Sequence, residues 1–142
     1  MPEFGGISFL TFLIKGEIVD RKFIMTALSY AIIGMMLGIF MAVSKNHAEF
    51  VTHAHIMLLG FVVSFIYGLC HKLWLNNNTS KLAVVQFYIH QVGTLILVFG
   101  LFLLYGNFIA EDTIGPILGI AAVTAFIGMI LMFSLFVKTR NA

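Results

Sequence analysis

Four long runs without a charged residue dominate the chain and restrict the folds that it can adopt. Each run holds 21 to 24 residues; they cover Phe23–Val43, Phe50–Cys70, Leu82–Tyr105 and Ile114–Val137. A membrane-spanning helix needs about 20 apolar residues to cross a hydrocarbon core of roughly 30 Å. The strands of a membrane β-barrel are shorter and alternate in polarity, which these runs do not. The runs therefore predict four transmembrane helices.

The composition agrees with a membrane protein. Of the 142 residues, 61% are hydrophobic and 10% are charged, and the mean hydropathy is +1.04. A soluble domain usually carries about 25% charged residues. The net charge of +2 comes from too few groups to indicate a nucleic-acid partner, so the lipid bilayer is the expected partner. Cys70 is the single cysteine, which excludes an internal disulfide.

The links between the runs are short, and short links make consecutive helices antiparallel neighbours. The predicted fold is all-α: a polytopic membrane protein with an up-down four-transmembrane-helix unit. The membrane domain covers residues 23–142, with helices over about 23–43, 50–75, 82–105 and 114–137. Residues 1–22 contain an apolar stretch too short to span, followed by charges, and we expect a short cytoplasmic or interfacial segment there.

The positions of lysine and arginine predict the orientation. Those on one side of the predicted unit are Lys15, Arg21, Lys22, Lys72, Lys81, Lys138 and Arg140. Only Lys45 falls on the other side. Because basic residues concentrate on the cytoplasmic side, we expect both termini in the cytoplasm, with the protein in the inner (plasma) membrane of a bacterium.

Two histidines open the second run, and ionisable groups at membrane depth mark functional sites. At about 100° per residue, His53 and His55 project roughly 200° apart, so they face different neighbours. His53 shares its face with the small residues Gly60 and Ser64, which suggests room for a flat cofactor, whereas His55 lies among large apolar side chains. We predict both histidines as haem or metal ligands, with Gly60 and Ser64 beside the cofactor.

Small residues also recur at four-residue spacing, which lets helix backbones approach closely. The rows are Gly34 and Gly38 in the first run, Gly60, Ser64 and Gly68 in the second, and Gly115 and Gly119 in the fourth.

Depth distinguishes the possible ligand pairs. His90, with Gln86 and Thr94 on the same stripe, is a candidate ligand and equally a candidate hydrogen-bonding group. At ~1.5 Å rise per residue, His55 and His90 of one chain differ in height by about 10–15 Å, which strains a shared iron. His53 and His55 differ by only about 3 Å. A neighbouring chain's copy of His53 could therefore meet His55 with little strain.

Two other readings of the histidines stay open. His47 lies in the loop before the second run, and with His53, His55 and His90 it could bind copper or zinc without haem. Alternatively, the chain is a cofactor-free assembly or scaffold subunit in which the histidines only form hydrogen bonds. His71 stands beside Lys72 at the end of the second run, and we expect its ring to reach water.

The stretch from His53 to Val62, followed by Tyr67 and Gly68, resembles small four-helix membrane proteins related to subunit I of the haem–copper oxidases. The resemblance covers about residues 30–104. It implies that the chain is similar to one four-helix arc of that subunit. By the same resemblance, His55 is a low-spin haem ligand and His53 is a ligand that faces an adjacent pore.

The copper-site pattern of that family is incomplete in this chain. His90 stands where the family's middle arc supplies copper ligands, but Gln91 follows it instead of a second histidine, and the family's copper-site motif on helix six has no match. This argues against oxygen or nitric oxide reduction and leaves open whether the protein is an enzyme. Three identical arcs could close a ring. We therefore predict a homotrimer with b-type haem between protomers, for electron transfer, gas sensing or haem handling; no electron partner is indicated.

Overall fold

The computed structural model describes residues 19–76 and 80–140, and their fold is a unit of four long helices. The helices are α1 (Val19–Ser44), α2 (Phe50–Leu73), α3 (Lys81–Tyr105) and α4 (Glu111–Arg140). Each is long and apolar enough to cross a membrane. The predicted all-α fold is confirmed, and the chain is an integral membrane protein.

The helices extend beyond the apolar runs at several ends. α1 begins at Val19 rather than at residue 23, and Asp20 and Lys22 are buried within its first turns. The Lys22 ammonium lies over the rings of Phe87 and Tyr88, at 5.9 and 5.7 Å from their centroids. Such cation–π contacts stabilise a charged side chain in a buried position. Residues 1–18, which include most of the predicted interfacial segment, lie outside the described residues.

The second helix changes its winding along its length. It is α-helical over Phe50–His55, π-helical over Ile56–Val63 and α-helical again over Ser64–Leu73. In a π-helix the hydrogen bond spans five residues instead of four, and such stretches are rare and frequent at functional sites. The widened stretch begins at the residue after His55.

Helices α3 and α4 pack through direct backbone contact. A Cβ atom added at Gly93 would lie 2.8 Å from the backbone nitrogen of Ala125 and 3.1 Å from the carbonyl oxygen of Ala121. At Gly128 it would lie 3.3 Å from the backbone of His90. Small residues permit such close approach in membranes, where helix association depends on van der Waals packing.

In the contact between α1 and α2, side chains of each helix lie against glycines of the other. The Tyr30 ring lies over Gly60, where an added Cβ would come within 2.6 Å of the ring, and the His53 ring lies against Gly38. The predicted small-residue rows of these two helices therefore form a contact. Gly115 and Gly119 of α4 differ, because an added Cβ would have no described atom within 4 Å.

Candidate functional site

An apolar groove of about 380 Å³ lies between α2 and α4. Leu58 and Leu59 of α2 line one side, Ala125 and Phe126 of α4 line the other, and Leu97 of α3 lies between them. His55 is the one titratable side chain among the described residues that line this groove.

The His55 ring is oriented by its own helix. Its Nδ1 lies 2.9 Å from the carbonyl oxygen of Val51. A carbonyl oxygen can only accept, so Nδ1 carries the hydrogen and donates it. In the neutral ring the lone pair then belongs to Nε2, the atom that can bind a metal. Histidine ligands usually hold their second nitrogen in this way, with a backbone carbonyl or a carboxylate as the acceptor.

The His53 ring is held in the same manner but points elsewhere. Its Nδ1 donates to the carbonyl oxygen of Gly34 in α1 at 2.9 Å, which leaves the lone pair on Nε2. The two histidines therefore face different neighbours, as their spacing predicts: His53 contacts α1 and His55 lines the groove.

The other predicted site residues lie apart from this groove. His90 and Ser64 are fully buried, and the His90 Nε2 lies 2.9 Å from the Ser64 Oγ. Gly60 is covered by the Tyr30 ring. These contacts fill the face on which the sequence suggested room for a cofactor. His47 is exposed in the loop between α1 and α2.

No metal-binding cluster joins these residues. Within residues 19–76 and 80–140, no group of three or more His, Cys, Asp or Glu side chains is placed to hold a metal ion.

A buried group of polar side chains lies at the other end of α2, and the sequence indicated only the part of it that lies on α3. Tyr67, His71 and His90 surround the Phe23 ring, with ring centroids 5.5, 5.5 and 6.1 Å from it. Tyr67 and His90 also meet each other at 5.0 Å. The prediction that the His71 ring reaches the water outside the membrane is wrong, because the ring is fully buried and stacked on Phe23. α1 extends far enough to cover it.

Several polar atoms in this region have no hydrogen bond of good geometry to a described residue, although the Gln86 side chain approaches His71 and the Leu59 backbone approaches His90. They are both ring nitrogens of His71, Nδ1 of His90, the Tyr67 hydroxyl, Oε1 of Gln86 and Oγ1 of Thr94. Leaving such an atom unpaired in an apolar interior costs roughly 1–3 kcal/mol. The shared stripe of Gln86, His90 and Thr94 was the one signal in the sequence that pointed to this region.

The comparisons with known proteins do not place the chain in a family. No protein-family model, curated protein or solved structure matches it. The chain is an integral membrane protein of four helices. It has a histidine oriented by a hydrogen bond at an apolar groove, and a separate group of buried polar side chains in its interior. Its function is therefore argued from these two features.

Proposed function

We propose that this protein binds b-type haem in the groove between α2 and α4, where the Nε2 of His55 would hold the iron. The observation that carries the proposal is the hydrogen bond from the His55 Nδ1 to the Val51 carbonyl, which leaves a lone pair on the nitrogen free to bind iron. An apolar lining suits the faces of a porphyrin, and histidine is its usual protein ligand in b-type sites.

The residues of the groove have separate roles in this proposal. The Val51 carbonyl fixes the His55 ring and makes it a stronger donor. Leu59, Leu97 and Phe126 keep water from the site, while the small side chain of Ala125 leaves room beside them. Haem supplies one-electron chemistry when bound, and burial together with the axial ligand sets its potential.

We further propose a homotrimer in which His53 of a second copy would be the second histidine that holds the haem. His53 and His55 lie at nearly the same height, differing by about 3 Å, and they face opposite sides of α2. A head-to-tail contact between two such different faces can close a ring. Two histidines holding the haem would leave no place for a gas to bind, so this arrangement favours electron transfer over gas sensing or haem handling.

The membrane and the orientation are also proposals. The excess of lysine and arginine on the side of the α2–α3 link favours the plasma membrane of a bacterium with both termini in the cytoplasm. His55 then lies near the outer surface.

The absorbance spectrum of the purified protein tests haem binding. We expect a Soret band and, after reduction, an α-band, with haem in a stoichiometric amount. His55→Ala should abolish the Soret band. His47→Ala is the matched control, because His47 is exposed in a loop away from the groove, and it should leave the spectrum unchanged.

Three results would contradict the proposal. Colourless protein with stoichiometric copper or zinc would favour a metal-binding protein without haem. Protein with neither haem nor metal would favour a scaffold subunit. An unchanged Soret band in His55→Ala would show that another residue binds the iron.

A further inference from the structure

We propose that a file of water molecules occupies the interior of the helix unit between His71 and Thr94. It enters from the membrane surface at which α2 ends and α3 begins. This inference goes beyond haem binding and does not depend on it, because it rests on the polar side chains at the other end of α2.

The polar side chains form one continuous column. On α3, Gln86, His90 and Thr94 recur at every fourth residue and so share a face. On α2, Tyr67 and His71 share the face that meets them: the Tyr67 and His90 rings are 5.0 Å apart, and the Gln86 side chain approaches His71 as a hydrogen-bonding neighbour. From Gln86 to Thr94 the column runs about 12 Å along α3, which reaches the middle of that helix.

The chemistry of the unpaired atoms points to water. The hydroxyls of Tyr67 and Thr94 have no hydrogen-bonding partner among the described residues. The ring nitrogens of His71, Nδ1 of His90 and the Gln86 carbonyl oxygen lack a hydrogen bond of good geometry, although Gln86 approaches His71 and the Leu59 backbone approaches His90. The set mixes donors and acceptors, and water can satisfy both, typically making about three hydrogen bonds in a protein interior.

Other ligand classes fit the column less well. The described part of the chain places no group of three metal-ligating side chains anywhere. An anion would need a cation in the column, but the Lys22 ammonium lies over the Phe87 and Tyr88 rings.

The two ends of the column differ. At the membrane surface, Asp20 and Lys22 of α1 are buried in the first turns, and Asp20 lies within electrostatic range of His71. At mid-membrane, the buried Leu97 follows Thr94 on α3 and also lines the groove of His55. In this proposal water reaches the centre of the bilayer from one surface only, and Leu97 separates it from the groove. The titratable groups in and around the column are Asp20, Lys22, Tyr67, Cys70, His71 and His90, and the proposal requires no particular charge state of them.

Hydroxyl-radical footprinting of the protein in lipid nanodiscs tests the water file. X-ray pulses split water where it lies and label the side chains that it touches. Phe23 is 0% exposed and sits among the polar groups, whereas Phe133 is 71% exposed on the lipid-facing surface of α4. We expect Phe23 and Tyr67 to be labelled several-fold more than Phe133. The opposite order, with Phe23 and Tyr67 unlabelled, would overturn the proposal.

A pair of glutamine variants sharpens the test. Gln86→Leu removes a polar group from the column, so the labelling of Phe23 and Tyr67 should fall to the level of Phe133. Gln91→Leu is the matched control, because both variants lose one hydrogen bond to another helix, from Gln86 to the Gly128 carbonyl of α4 and from Gln91 to Thr26 of α1. Gln91 is not part of the column, so this variant should leave the labelling unchanged. Equal effects of both variants would overturn the proposal. If Gln86→Leu does not fold, the comparison of Phe23 with Phe133 in the unaltered protein decides alone. His55→Ala should leave the labelling of Phe23 and Tyr67 unchanged. The water proposal and the haem proposal can therefore be rejected independently of each other.

Discussion

At the scale of single residues, His53 and His55 have the same kind of hydrogen-bonding partner and different surroundings. Each ring donates from Nδ1 to a backbone carbonyl, one on α1 and one on α2 itself. Their spacing in the sequence was enough to predict that they diverge. It could not predict the two carbonyls, because the Gly34 partner depends on how α1 lies against α2.

His71 shows why a sequence position near a membrane end does not determine exposure. Its neighbour Lys72 suggested contact with water, but α1 begins at Val19 and covers the ring with Phe23. The charges of Asp20 and Lys22 concealed this early start, since a search for uncharged runs stops at such residues.

Replacing Gly93 should test the backbone contact between α3 and α4. In Gly93→Ala the new methyl group meets the backbone of Ala121 and Ala125, which cannot swing aside as a side chain can. We expect the free energy of unfolding to fall by roughly 1–3 kcal/mol. Thermal unfolding in detergent, followed by circular dichroism, measures the change.

The control for this prediction is Gly119→Ala, because a Cβ there would have no described atom within 4 Å. It should not lower the unfolding temperature, since alanine favours a helix over glycine. Equal losses in the two variants would show that the loss does not come from backbone contact.

At the scale of helices, apolar length was sufficient to predict the number and type of the elements. It could not predict the π-helical stretch, because Ile56–Val63 consists of apolar residues and glycine and so has no polar–apolar period. The winding there depends on tertiary contacts, such as Tyr30 over Gly60, which only the folded chain provides.

Deleting a single residue should be tolerated in the π-helical part of α2 and should destabilise the α-helical part that follows it. A π-helical turn holds about one residue more than an α-helical turn, so removing Leu58 lets the stretch close to α-helix while Ser64 keeps its face toward His90. Removing Ile66 instead rotates every later residue by about 100°, which turns His71 away from Phe23.

Both deletions remove an apolar side chain that is largely exposed, 62% for Leu58 and 49% for Ile66. We expect the protein lacking Leu58 to be recovered folded and the protein lacking Ile66 to lose most of its stability, as measured by yield from the membrane and by thermal unfolding. Comparable damage from both would contradict this account of the π-helical stretch.

At the scale of the whole molecule, the fold consists of two helix pairs with a groove between them. Glycine contacts define the pairs, α1 with α2 and α3 with α4, and α3 lies at the floor of the groove that separates α2 from α4. Short links predicted antiparallel neighbours, but they left open how closely non-consecutive helices approach. The groove, and His55 within it, could therefore not be derived from the sequence.

Co-expressing two variants that each lack one histidine of the proposed haem site should test whether haem is shared between copies. In the proposed trimer, each site combines His55 of one chain with His53 of the next. His53→Ala and His55→Ala alone should each lose the two-histidine haem spectrum. Co-expression should restore it in about a quarter of the sites, since each intact site needs one chain of each kind in a fixed order.

Native mass spectrometry of the same samples should show three chains per particle. Haem-bound monomers, or co-expression without any recovery of the spectrum, would contradict a shared site.

The division of polar partners between the two helix pairs has a consequence for how the protein is made. Ser64, Tyr67 and His71 belong to the first pair to leave the ribosome, while His90, to which Ser64 is hydrogen-bonded, arrives only with α3. Until then this face has no partner in lipid, where unpaired polar groups are costly. The pair α1–α2 alone is therefore unstable in the bilayer. We expect it to stay beside the translocon until α3 and α4 are inserted. A chain whose synthesis stops between α2 and α3 would then be released to the membrane proteases.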